Sequence, residues 1–204
     1  MTQAKSNTLP VMEAFHSIQG EGYHSGKAAY FIRLGGCDVG CHWCDVKESW
    51  NEEDHPNLSV NEICDKTNDL NSDITIITGG EPLMYNLDNL TEALRANNQR
   101  THLETSGVYP ITGNWHWICF SPKKFKKPVE EIYMKANELK VIVYNKSDLA
   151  WAETHRKKLN KNCKLYLQPE WSKHKQMMPL IVDYVKRNPD WEISLQIHKF
   201  IDVP

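Results

Sequence analysis

The chain has 204 residues, with 24 Lys and Arg against 26 Asp and Glu, a formal net charge of −2 with histidine neutral. Forty per cent hydrophobic and 25% charged residues is ordinary for a soluble globular protein, which excludes extended disorder, collagen-like repetition and a fibrous coiled coil. Balanced charge gives no general attraction to nucleic acid or an anionic membrane surface, and no apolar run approaches the ~18 residues of a membrane span. The polar start from Met1 to Pro10 has no signal-peptide core, so a cytoplasmic protein is expected.

No repeat or long linker divides the chain, and one domain over 1–204 is expected. Strands are expected at Ala29–Leu34, Ile74–Thr78, Thr101–Glu104, His116–Phe120, Leu139–Val143, Lys164–Gln168 and Ile193–Ile197. Between them, Ser59 with Glu62 three residues on reads as a capping box opening a helix with Ile63 and Leu70 inward. Leu87–Asn98 aligns Leu87, Leu90, Ala93 and Leu94, and Lys173–Asn188 aligns Met177, Leu180, Ile181, Tyr184 and Val185, each on one helical stripe. Such alternation is the pattern of α/β folds with mostly parallel strands, either a doubly wound sheet or a complete or partial β/α barrel. In all of these the site gathers where strands end.

The polar residues at those ends follow in order. Ahead of the first strand, Ile18, Gln19, Gly20 and Glu21 lie in a glycine-rich stretch that reads alone as a turn, but Arg33 follows one strand later. Directly after comes Cys37-x3-Cys41-x2-Cys44. Three thiols on one loop suit an iron–sulfur cluster with one open iron; a structural zinc completed by His42 or Cys64 is the plainer reading, although no second cysteine pair accompanies the first. Cys64, Cys119 and Cys163 fall in helix or strand segments and are expected in the core. Gly79-Gly80-Glu81-Pro82 ends the next strand: glycine permits close backbone approach, and a nearby carboxylate favours an ammonium ligand. Glu104 ends another, as a solvated carboxylate, a cap or a functional group, and Ser121-Pro122-Lys123 and Gln168-Pro169-Glu170-Trp171 end two more. Gln196 and His198 lie near the chain end, where Pro204 either frays or faces the site.

The cysteine spacing, with aromatic Trp43 before the last cysteine, resembles the signature of the radical S-adenosylmethionine (SAM) superfamily. That resemblance implies a 4Fe–4S cluster on Cys37, Cys41 and Cys44 whose open iron chelates SAM and cleaves it to a 5′-deoxyadenosyl radical. It also implies SAM contacts from Trp43, Cys44, Asp45, Gly80, Ser121, Pro122, Lys123, Gln168, Pro169, Glu170 and Trp171. The segment Glu13–Gly22, Arg33 and the end Leu195–Pro204 narrow the resemblance to the 7-carboxy-7-deazaguanine synthase family, matched in order from about Phe15 to Pro204. The implied fold is α/β, a reduced β/α barrel of the radical SAM type. The implied reaction converts 6-carboxy-5,6,7,8-tetrahydropterin to 7-carboxy-7-deazaguanine with loss of ammonia, on the way to queuosine and related deazapurines. Arg33 would pair with the substrate carboxylate, while Ile18, Gln19, Gly20, Glu21, Thr78 and Pro204 would line the pterin. Glu104, Gln196 and His198 are candidates for polar contact or proton transfer. An electron donor such as flavodoxin or ferredoxin and a homodimer are implied as well.

One departure stands out. The family places a magnesium-binding threonine after Cys-Asp, where this chain has Val46, leaving that position to water, substrate or nothing. Two other functions compete: an activase placing a radical on a partner's glycine, which needs a surface for a protein loop rather than an Arg33 pocket, and a zinc-stabilised binding module.

Overall fold

The structure, a computed structural model, describes residues 6–67 and 72–204. Nine strands form one sheet: β1 (Thr8–Ile18), β2 (Ala28–Leu34), β3 (Asn57–Ser59), β4 (Ile74–Gly79), β5 (Arg100–Thr105), β6 (Trp117–Phe120), β7 (Glu138–Val143), β8 (Lys164–Pro169) and β9 (Trp191–Ile193), in the order β3-β1-β2-β4-β5-β6-β7-β8-β9. From β2 to β9 every neighbour is parallel, whereas β1 runs antiparallel to β2 and β3. Strands that follow each other in one direction and leave β3 and β9 as edges make an open, partial barrel rather than a doubly wound sheet or a closed barrel.

The helices are α1 (Val60–Asp65), α2 (Asp88–Ala96), α3 (Ile132–Lys135), α4 (Ser147–Arg156), α5 (His174–Arg187) and α6 (His198–Ile201). Ser59 Oγ accepts from Glu62 N and the Glu62 carboxylate accepts from Ser59 N, the expected capping box; Ile63 is buried, and Leu70 lies outside the described residues. The helix of 87–98 is α2 and that of 173–188 is α5, whereas α4, whose buried first-turn Asp148 accepts from Tyr144 N and Asn145 N, had no sequence expectation.

Strand alternation gives the sheet two different faces. Tyr30, Ile32, Leu34, Ile77, Leu103, Ile118, Phe120, Leu139, Val141, Val143, Leu165 and Leu167 pack under Ile63 of α1, Leu90 and Leu94 of α2, Ile132 of α3, Leu149 and Ala152 of α4, and Met177 and Ile181 of α5. Burying each such leucine or isoleucine contributes about 1.5–3 kcal/mol, so this side carries the stability of the fold. Register places the opposite set together on the inner face: Glu13 opposite Arg33, Arg33 beside Thr78, Glu104 beside Cys119, Lys140 beside Tyr166. Ala29, Ile74, Ile76 and Phe31 form an apolar cluster there, with Phe15 stacked on Phe31. The inner face also carries these polar and charged groups, and chemistry is housed on it.

Two expectations need correction. Residues 8–18, ahead of the first expected strand, are the long strand β1. The strand expected at Ile193–Ile197 is Trp191–Ile193; beyond it the chain leaves the sheet, because Ser194 Oγ donates to Gln168 Oε1 (2.7 Å), Gln196 Nε2 donates to Glu21 Oε1 (2.9 Å) and Ile197 N donates to Gly20 O (3.0 Å). These bonds carry 194–197 across the end of the sheet. Pro204 therefore follows α6 and not a strand.

Candidate active site

A cleft of about 300 Å3 opens at the C-terminal ends of the parallel strands. It is lined by Ile18, Gln19, Gly20, Glu21, Arg33, Thr78, Glu104, Gln196, His198 and Pro204, by Cys37, Cys41, Trp43, Cys44 and Asp45, and by Gly80, Ser121, Lys123, Gln168, Pro169, Glu170 and Trp171. Pro122, expected among the SAM contacts, is buried behind this wall and lines no part of it. Sequence reasoning missed Lys140, Ser106 and Ile142, and the stacked pair Phe15–Phe31 with rings 5.2 Å apart.

The cysteine loop leaves β2 through Gly35 and Gly36 and is pinned by Gly36 N donating to Ser49 O (2.7 Å) and Cys37 N to Trp50 O (3.0 Å). The Gly-Gly turn after β4 packs directly beneath: Gly80 N donates to Leu34 O at 3.0 Å, and a Cβ on Gly80 would fall 2.1 Å from Gly36 O. Glycine is thus required where the two loops touch. All six cysteines are free thiols. Burial pushes the Cys41 thiol up to about 11 and raises that of Cys37, so binding a metal group here must release protons. Among the described residues no three His, Cys, Asp or Glu side chains converge on a position for one ion. Three free thiols carried on one loop and lining one cleft fit a multi-iron group that leaves one iron open. Cys64 lies in the helix-side core, Cys163 packs against that core, and Cys119 is buried on the inner face.

Glu81 departs from its expected role. It is 1% exposed and its carboxylate accepts from Leu83 N, Thr105 Oγ1, Ser106 N and Ser106 Oγ, so it ties β4 to β5 instead of offering an oxygen to an ammonium. Lys123 bends back so that Nζ donates to Ser121 O (2.6 Å) and Oγ (2.7 Å), and it lies 5.8 Å from the Trp43 ring centre. Burial lowers its pKa, partly offset by Cys41.

In the same cleft, a closed ring of polar groups surrounds Lys140, which is 3% exposed. Its ammonium donates to Glu21 Oε2 (2.6 Å) and Glu104 Oε2 (2.7 Å). Gln19 Nε2 donates to Glu104 Oε1 (3.0 Å), Gln196 Nε2 to Glu21 Oε1 (2.9 Å), and Glu21 N to Gln19 Oε1 (3.0 Å). Burial alone would raise Glu21, but the Lys140 charge and hydrogen bonds hold its carboxyl at about 2. Lys140 pays its own burial through the surrounding anions, which push its pKa well above the ordinary lysine value. The ring is an ionised, acceptor-rich surface.

Arg33 lines the same cleft, with Nε donating to Glu13 Oε1 at 2.6 Å. His198 closes over Gly20, where a Cβ would meet its Nδ1 at 2.1 Å. Past α6, Asp202 adopts a left-handed conformation (φ 55°) that turns the tail back, and Ser17 Oγ donates to Pro204 O at 2.9 Å. The tail is anchored rather than frayed.

A model of the radical SAM superfamily matches residues 31–120. The chain is 56% identical over 200 residues to the 7-carboxy-7-deazaguanine synthase of Flavobacterium psychrophilum, covering 98% of this chain and 95% of the relative. It is 46% identical over 196 residues to that of a Synechocystis species, covering 96% and 94%. The crystal structure of QueE from Escherichia coli superposes with a TM-score of 0.81 at 28% identity, over 92% of this chain and 93% of the other. With three thiols and an ion-paired ring lining one cleft and relatives matched along nearly its whole length, the chain belongs to the 7-carboxy-7-deazaguanine synthase family of radical SAM enzymes.

Proposed function

We propose that this cleft converts 6-carboxy-5,6,7,8-tetrahydropterin to 7-carboxy-7-deazaguanine and ammonia. The observation that carries the reading is that the Arg33 cation, the acceptor ring of Gln19, Glu21, Glu104 and Gln196, and the three thiols all line one cleft. A tetrahydropterin bearing a carboxylate on its reduced ring and amino and ring N–H groups on its pyrimidine is complementary to both the cation and the ring.

When bound, the 4Fe–4S cluster on Cys37, Cys41 and Cys44 and the SAM molecule supply a primary carbon radical able to remove a hydrogen atom. The chain's own residues bind and orient. Trp43, Cys44, Asp45, Gly80, Ser121, Lys123, Gln168, Pro169, Glu170 and Trp171 line the side where SAM would lie, with Pro122 holding the wall from behind. Arg33 pairs with the substrate carboxylate through its terminal nitrogens, and Ile18, Gly20 and Thr78 bound the ring. Glu21 and Glu104 accept from the pyrimidine N–H donors, with Gln196 and His198 closing the same end and Pro204 oxygen as a further acceptor. Substrate and products balance without net oxidation, so the hydrogen removed is returned and ammonia leaves. His198, whose pKa burial lowers, is neutral at pH 7 and able to accept a proton at Nδ1 or Nε2.

Val46 lines the cleft and offers no oxygen, so the protein ligand that magnesium has elsewhere in the family is missing, and no step here is routed through that ion. The same reading brings a one-electron donor, a homodimer and a cytoplasmic setting; no described helix is long and apolar enough to cross a membrane.

Reconstitution under nitrogen, followed by turnover with dithionite, SAM and the pterin, tests it. Expected are about four irons per chain, formation of 5′-deoxyadenosine and of the ring-contracted product, and loss of iron with alanine at Cys37, Cys41 or Cys44 but not at Cys64, Cys119 or Cys163. Zinc in place of iron, or SAM cleavage only with a partner protein, would overturn it.

A further inference from the structure

A second cavity, of about 10 Å3, shares Gln19, Glu21 and Glu104 with the cleft and takes its other walls from deeper in the sheet, among them His24, His102, Trp117 and Glu138. That volume is about what one water-sized molecule needs. Strand parity puts His102 with Glu104 on the inner face of β5, register sets His102 beside Trp117 of β6, and the turn after β1 brings the His24 ring to 4.5 Å from that of His102. The Nε2 atoms of His24 and His102 are buried without a hydrogen-bond partner among the described residues, and His102 is 3% exposed. Burial lowers the pKa of each, so both rings are neutral at pH 7 and can offer a nitrogen as acceptor. Donors in the lining are already engaged: Gln19 Nε2 donates to Glu104 Oε1 (3.0 Å) and Trp117 Nε1 to Glu138 Oε2 (3.0 Å). Lys140 divides its charge between Glu21 and Glu104, while Glu138, also 3% exposed, accepts from the neutral Tyr23 N (3.1 Å) and Trp117 Nε1, and its burial raises its pKa. Three carboxylates therefore line this cavity beside a single lysine.

We propose that this cavity binds one ammonium ion, the protonated form of the ammonia that the reaction releases. The source of the ion rests on the proposed reaction; its binding does not. Ammonium is water-sized, carries a positive charge and offers N–H donors in every direction with no acceptor, the complement of carboxylate oxygens and two neutral imidazoles. Water would bring two donors and no charge, and so would leave Glu138 buried without a counter-ion. Hard metal ions take oxygen ligands, and among the described residues no three His, Cys, Asp or Glu side chains converge on a metal position, so the lining selects against them. Because Gln19, Glu21 and Glu104 belong to both walls, an ion held here keeps the carboxylates ionised from behind and leaves the cleft to the pterin.

The test uses the cluster-loaded enzyme at pH 7 under nitrogen, with ammonium chloride as the probe and sodium chloride or tetramethylammonium chloride at equal ionic strength as references. Ammonium should raise the unfolding midpoint saturably, as a ligand of the folded state does, and the references should not. The same rise should appear with SAM and the pterin bound and no reductant present. His102→Phe keeps a ring and removes the acceptor, and Glu138→Gln keeps the shape and removes the charge; each should weaken ammonium binding about tenfold or more, the worth of a hydrogen bond to a charged group. Midpoints in sodium chloride report whether each variant folds, and the comparison of salts on the native chain stands without either. A midpoint equal in ammonium and sodium overturns the proposal, since the cavity then holds water. So does an equal rise with tetramethylammonium, which is too large for the cavity, or a rise that the pterin abolishes, which places the ion in the cleft. Unaltered ammonium binding in either folded variant also overturns it. Should the native chain bind ammonium in this way yet fail to convert the pterin, the functional reading falls and the ion site remains.

Discussion

Lys140→Met removes the cation that holds the two cleft carboxylates. The side chain keeps its volume, yet Glu21 and Glu104 each lose a charge-assisted bond of 2.6 or 2.7 Å in a site where Lys140 is 3% exposed. Glu21 is held at about 2 against an ordinary 4.5, which corresponds to about 3 kcal/mol, in line with about 3–5 kcal/mol for breaking a buried pair on one side. Because the folded pKa is depressed, this stabilisation is fully present above pH 4.5 and disappears as pH falls toward 2. In the variant, burial and mutual repulsion raise the carboxyl pair instead. Its stability deficit should therefore be near 3 kcal/mol at pH 7 and shrink by pH 4.5 in denaturant titrations. The Michaelis constant for the pterin should rise about tenfold or more near pH 6, where a shared proton removes an acceptor, and recover toward pH 9, with iron content unchanged. A pH-independent Michaelis constant at native value, with native stability, would refute the assignment of Lys140 as the positioning residue of the acceptor ring.

Arg33→Ala should cost about 2–5 kcal/mol in kcat/KM for the pterin while SAM cleavage without substrate continues; lysine should rescue poorly, since it cannot make two parallel bonds. Unchanged kcat/KM would leave the arginine as a partner of Glu13 only. Ser17→Ala, or deletion of Val203 and Pro204, should raise the Michaelis constant and spare iron content, because the Ser17 bond at 2.9 Å anchors the tail; native kinetics in both would show the tail to be idle. His102, 3% exposed, has its pKa lowered to about 3, first by burial and then by neighbouring His24 and Arg100. It stays neutral when folded, so its stabilising effect is complete above pH 6.5 and declines as the pH drops toward 3, about 2 kcal/mol being lost by pH 5. His102→Gln should flatten that slope in unfolding measurements, and an identical slope would contradict the cause.

The strand ends were legible because the chemistry stands at or just past the end of each β-rich run: Cys37 after β2, Gly79-Gly80 at the end of β4, Glu104 at the end of β5, Gln168 in β8. Lys140 was not, since one lysine among Leu139, Val141 and Val143 reads as a solvated position; the parity that sets it beside Glu138 and Ile142 on the inner face was the available signal. Glu81 misled for a different reason. Its partners Thr105 and Ser106 are 24 and 25 residues away, so only the fold shows that its oxygens are already engaged. The run 193–197 has strand propensity, but Ser194 and Gln196 are bonded to Gln168 and Glu21, and tertiary hydrogen bonds overrode it. Strand β1 was obscured by the register irregularity between Val11 and Glu13, which breaks the alternation.

Turnover of 6-carboxytetrahydropterin carrying deuterium on the carboxylate-bearing ring carbon tests the central claim most directly. The proposed reaction passes that label through the 5′-carbon of the nucleoside and back, so deuterium appears at the 5′-carbon of re-formed SAM with product and ammonia made in equal amounts; product formed with no deuterium entering that carbon, or labelled SAM without ammonia, would contradict it.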